Sequence, residues 1–94
     1  MRIVAFNQIC DFYEKHNQAK VPLLVIYQTL KEGKYSNNKQ ILQSFPRSSL
    51  IKGTKSQIVF RIKGNDFSMI IQFDYSKQIG RIKFIGRHPE YDRL

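Results

Sequence analysis

Three stretches in the second half of the chain constrain its fold more than anything else in it. QIVFRIK (57–63), DFSMIIQFDY (66–75) and IGRIKFIG (79–86) place apolar side chains at a period of two, the repeat of a β-strand. Short polar turns separate them, and Gly64-Asn65 is a hairpin signal because both residues tolerate positive φ. The simplest arrangement is an antiparallel meander of three strands. Strict alternation then puts Ile58, Phe60, Ile62, Phe67, Met69, Ile71, Phe73, Ile82 and Phe84 on one apolar face. The other face carries Gln57, Val59, Arg61 and Lys63 from one strand and Ser68, Ile70, Gln72 and Asp74 from the next. The last strand adds Arg81, Lys83, Ile85 and Arg87.

An apolar sheet face needs a cover, and the first half supplies it. MRIVAF reads as a first strand, and Asn7 as the cap of a helix bearing Ile9, Phe12, Tyr13 and His16. HNQAK breaks that pattern. Pro22 suits the start of a second helix with Leu23, Leu24, Ile26, Tyr27 and Leu30 in one stripe, closed by Gly33 with Lys31 and Lys34 near its end. SNNKQILQSF offers a short third helix ended by Pro46, and a brief edge strand is expected near Leu50-Ile51. The expectation is one α+β domain over residues 1–94, with two to three N-terminal helices on one face of a small antiparallel sheet.

Charge says what the uncovered face is for. Sixteen Lys and Arg against seven Asp and Glu give a net +9, and residues 46–94 alone hold ten cations against four anions. Such a surplus favours a polyanionic partner, nucleic acid or an acidic protein, over a self-neutralising surface. The alternative is a merely solvated basic face. The single cysteine, Cys10, excludes an internal disulfide and suits a reducing compartment. No run approaches the roughly 20 apolar residues of a membrane helix, and MRIVAFNQIC lacks the marks of a signal peptide. The expected setting is cytoplasmic, without membrane contact. No Cys, His or carboxylate cluster has metal-ligand spacing, so neither a metal nor another cofactor is expected.

The chain ends in FIGRHPEYDRL, which gathers His88, Tyr91 and Asp92 just after the last strand. Pro89 stops that strand, and one helical turn would bring positions 88 and 91 or 92 together at the rim of the cationic face. RNA cleavage without metal needs a proton taken from the ribose 2′-OH, a proton given to the 5′-oxygen, and donors for the phosphoryl oxygens. An imidazole titrates near neutrality, a guanidinium matches phosphate oxygens, and a tyrosine stacks on a base or donates to it. A structural or solvated histidine is the competing reading at this point.

With these residues named, FRIKGNDF followed by FIGRHPEYD resembles the HigB-type toxins of bacterial toxin–antitoxin modules, which have the RelE-like fold. The resemblance runs over nearly the whole chain. It implies an mRNA endonuclease acting on translating ribosomes and held inactive by a HigA-like helix-turn-helix antitoxin. Carried over by position, it makes His88 and Tyr91 catalytic, Asp92 supporting and Lys83 phosphate-binding; the cationic face adds Arg61 and Arg87 to the expected catalytic residues and Lys63 and Arg81 to the phosphate-binding ones. Gln57 and Ser68 stand where the family commonly has arginine, while Arg61 and Arg87 are arginines where it commonly has asparagine and threonine. On the alternation above, Arg61 and Arg87 share a face and could restore the missing charge. The same departures also fit a degenerate module that binds RNA, ribosome or antitoxin without cutting.

Overall fold

The computed structural model describes residues 1–64 and 66–87. Three helices, α1 (Phe6–Lys15), α2 (Lys20–Glu32) and α3 (Asn38–Ser44), cover one face of a five-stranded sheet. The strands are β1 (Arg2–Val4), β2 (Ser48–Leu50), β3 (Gln57–Ile62), β4 (Phe67–Asp74) and β5 (Ile79–Arg87), in the order β1-β5-β4-β3-β2. The α+β architecture is as expected, but the sheet is mixed. β2, β3, β4 and β5 pair antiparallel, whereas β1 lies parallel to β5 with Ile3 opposite Gly80. A parallel edge requires a long crossover, here supplied by everything from α1 to β4.

Local chemistry accounts for the helix ends, with three departures from expectation. Ala5, at φ 73°, precedes α1, so Asn7 lies inside the first turn and does not cap it. A 3-10 turn at Asn17–Ala19 fills the break between α1 and α2, and Pro22 sits in the first turn of α2. The edge strand ends at Leu50 instead of beginning there. Gly33 closes α2 as expected, but in extended backbone; a Cβ there would lie 2.7 Å from the Tyr35 ring. Asn37 Oδ1 accepts from Gln40 N–H at 3.0 Å and starts α3.

The core lies between helices and sheet. Ile9, Leu23, Leu30 and Ile41 from the helices meet Ile58, Phe60, Ile62, Met69, Ile71 and Phe73, all buried. Phe12 packs edge-on to Phe67 at 5.4 Å, and Phe45 to Phe60 at 5.2 Å. Gln78 clasps the helical layer to the β4–β5 turn. Its side chain donates to the carbonyls of Tyr35 and Tyr75 and accepts from Tyr35 N–H at 3.2 Å.

β5 holds the main correction. Ile71 faces Ile82, but Ile70 faces Phe84, so Lys83 is an extra residue at a bulge. One inserted residue reverses every side chain beyond it. Ile85, opposite Met69, therefore packs against the core, while Phe84 moves to the face away from the helices. Arg87 pairs with Phe67, whose ring meets Phe12 and His16, and so falls on the helical side.

Candidate functional site

On the face away from the helices, the register defines four cross-strand rows, the last of which joins Asp74, Ile79 and Arg2. Arg61, Ser68 and Gly86 form one, Ser49, Val59, Ile70 and Phe84 the next, and Gln57, Gln72, Arg81 and Val4 the third. Arg61 and Arg81 thus stand at opposite corners, two strands and four residues apart. At sheet spacings this is roughly 15 Å, too far to grip one phosphate but suited to two phosphates of one strand. Lys83 is exposed at the bulge between them along β5.

Arg61 is oriented by its neighbours on β2 and the segment before it. Its guanidinium donates to Ser49 Oγ at 2.9 Å and reaches the Arg47 carbonyl at 3.5 Å, while its own N–H donates to that carbonyl at 3.1 Å. Uncharged acceptors hold it in place without cancelling its charge, and a guanidinium with five donors keeps others free for a ligand. Asp74 is the carboxylate on these rows' side of β4, and it is engaged in its own turn. It accepts from Ser76 Oγ at 2.7 Å and from Lys77 N–H at 3.2 Å, which hold its pKa below the ordinary carboxylate value. Among the described residues, no carboxylate pairs with the cations of this face.

The middle of the face is not the open surface that alternation implies. Val59, Ser68 and Ile70 are 2%, 1% and 5% exposed although they point away from the helices. The consecutive apolar runs IVF and MII carry that signal, because a strand buried on both faces loses its alternation. Ser68 Oγ has no hydrogen-bond partner among the described residues, so folding leaves an unsatisfied hydroxyl in the row of Arg61.

Of the sequence-derived site residues, Arg61 and Arg81 occupy the expected face, and Lys83 lies at its bulge. Lys63 does not lie on a strand, since β3 ends at Ile62 and Lys63 enters the hairpin turn at φ 51°. Arg87 is on the other side, so it cannot replace a missing cation beside Arg61 as the alternation suggested. His88, Tyr91 and Asp92 lie outside the described residues. No group of three or more His, Cys, Asp or Glu that could hold a metal occurs among the described residues, and no described helix is long and apolar enough to cross a membrane.

Residues 19–94 match the HigB_toxin family model, the RelE-like toxic component of a toxin–antitoxin system. The chain belongs to the HigB toxin family. The mRNA interferase toxin HigB of Escherichia coli K12 is similar, 24% identical over 92 residues that span 98% of this chain and 88% of that protein. The mRNA interferase HigB of Escherichia coli O6:H1 (strain CFT073) is 23% identical over 94 residues, covering 100% and 91% of the two chains. The mRNA interferase HigB of Shigella flexneri matches at 24% over 92 residues. As a HigB-family toxin, this chain has an antitoxin for its partner.

Proposed function

We propose that this HigB-family chain is an endoribonuclease that cleaves mRNA by attack of a ribose 2′-OH on its own 3′-phosphate. The reading is carried by the oriented Arg61, without a carboxylate partner among the described residues, on a sheet face it shares with Arg81 and the bulge residue Lys83, in a chain of a toxin family whose curated relatives are named mRNA interferases. Arg61 and Arg81 hold two separate backbone phosphates of one strand, and Lys83 adds charge between them. Lys63 extends the cationic rim from the hairpin turn.

In the cleavage step the 2′-OH loses its proton as its oxygen bonds to phosphorus. The bond from phosphorus to the 5′-oxygen breaks, and that oxygen takes up a proton. The products are a 2′,3′-cyclic phosphate and a 5′-hydroxyl. We assign the proton transfers to His88, which follows Gly86 in the chain with only Arg87 between them, and positioning of the base or assistance to the proton to Tyr91. Asp92 orients a neighbour. The ribosome as the setting for cleavage, and a HigA-like helix-turn-helix antitoxin as the restraint, fit the family and the basic surface.

A second reading, RNA or antitoxin binding without cutting, draws on the placement of Arg87 away from Arg61. Mapping RNA ends after induced expression separates the two. New 5′-hydroxyl ends that vanish in His88→Ala support the nuclease. Folded protein that binds RNA in a salt-sensitive way and creates no such ends would leave only the binding module.

A further inference from the structure

The bulge at Lys83 splits the cations of β5 between two faces, and it does so where the sheet has an edge. β1 pairs only with Ile79, Gly80 and Arg81, and the chain then leaves through Ala5 into α1. Residues 82–87 of β5 therefore pair with β4 on one side and with no strand on the other, among the described residues. Helix α1 packs against β5, and a cleft of about 240 Å³ opens there, lined by Gln8, Asp11, Phe12, Lys15 and Ile85.

The lining combines a ring, an aliphatic wall and a polar border. Phe12 and Ile85 are half-buried. The Phe12 ring is held from behind, since His16 stacks on it at 4.5 Å and Phe67 meets it edge-on at 5.4 Å. Gln8, Asp11 and Lys15 are exposed and follow one another at three and four residues, so they share one side of α1. Apolar walls with a few convergent polar groups are the usual form of a small-ligand site. Arg87 lies two residues beyond Ile85 on the same face, roughly 7 Å along the strand.

Asp11 decides which part of an RNA chain could enter. A carboxylate repels phosphate but accepts from the N–H groups of a base edge. Guanine offers two adjacent donors, at N1 and N2, beside the O6 acceptor. One carboxylate can take that pair while an ammonium one helical turn away donates to O6. Single-stranded RNA is read in this manner, through splayed bases that stack on an aromatic ring and bond along their Watson–Crick edge.

We infer that the cleft between α1 and β5 is a base-reading subsite for guanine. The base stacks against Phe12 with its edge on Asp11 and Lys15, and Arg87 holds the phosphate of the same nucleotide. The RNA thus crosses the sheet edge, from Arg81 and Lys83 on the outer face to Arg87 on the helical one. The subsite rests on the RNA-binding reading proposed above and adds a base preference to it.

The probes are four uncleavable 2′-O-methyl oligomers, uridine runs whose central nucleotide is guanosine, adenosine, cytidine or uridine. Each is titrated against the full chain by fluorescence anisotropy at low salt. The guanosine oligomer should bind about tenfold more tightly than the others. Asp11→Ala should erase that ratio and keep the parent melting transition, because the side chain is exposed. The ratio is the readout, since loss of a carboxylate strengthens phosphate binding to every oligomer. Equal affinity for the four, no binding, a first choice other than guanine, or a guanine preference that survives in Asp11→Ala overturns the subsite. New 5′-hydroxyl RNA ends from a parent chain without base preference would strike the subsite alone. A guanine preference lost in Asp11→Ala, in a chain that makes no such ends, would strike the nuclease reading alone.

Discussion

Two surfaces of this molecule are opposites in construction. On the outer sheet face, cations surround an apolar middle: Arg61 and Arg81 at the corners, Val59 and Ile70 between them. On the α2 side, a cleft of about 330 Å³ has apolar walls bordered by cations. The first arrangement suits a flexible polyanion, because its phosphates can reach outlying charges around a centre that is already buried. The second suits a folded partner, because a preformed apolar channel rewards a rigid complementary face. Arg61 lines the cleft, but its guanidinium is held on the outer face by Ser49 and the Arg47 carbonyl.

The largest expected effect comes from what the surfaces have in common. Phe60 is fully buried, lies between Val59 and Arg61 on β3, and also lines the cleft. Phe60→Ala should cost about 3–5 kcal/mol in chemical denaturation, a large share of the stability of so small a domain, and should abolish RNA cleavage. Arg61→Ala should sharpen the comparison by lowering RNA cleavage about 10- to 100-fold. Arg81→Ala should do so more weakly: cleavage falls about tenfold and the salt slope of RNA binding drops by about one.

Smaller effects test the outer face alone. Ser68→Ala removes a buried hydroxyl that lacks a partner among the described residues. It should stabilise the fold by about 1 kcal/mol, seen as a rise of roughly 4–8 °C in Tm. Asp74 gives the smallest change. Its folded pKa lies below its unfolded one because Ser76 and Lys77 donate to it. Its contribution is therefore full above the unfolded value, near 4, and is lost as pH falls through the folded value. Asp74→Asn should lower the melting temperature slightly at neutral pH and remove part of the decline below pH about 4.

How much of this could be read from residues alone follows the range of the interactions. β3 and β4 are legible because Gly64-Asn65 is a turn signal in the sequence and each strand keeps its period. The helices are legible from their apolar spacing, with ends displaced by a residue or two. The reversal at Phe84, Ile85 and Arg87 is not. IGRIKFIG accommodates either register, and a one-residue bulge is settled by cross-strand packing of Ile82 and Ile85 on the core. The parallel β1–β5 contact depends on a crossover of most of the chain, which no local pattern encodes. The exposed apolar side of α2 is not legible in that way: the stripe of Leu23, Leu24, Ile26, Tyr27 and Leu30 leaves Val21 and Val25 without a role, and their exposure is seen only in the fold. Arg61 and Arg81 were found by sign and period; their separation needed the register.

Photocrosslinking of RNA to the free toxin, with the modified residues located by peptide mass spectrometry, tests the division of surfaces most directly. Adducts should fall on β5, at and around Arg81 and Lys83, and should disappear when the antitoxin is bound. Adducts confined to α2, residues 20–32, with the sheet unmodified, would contradict it.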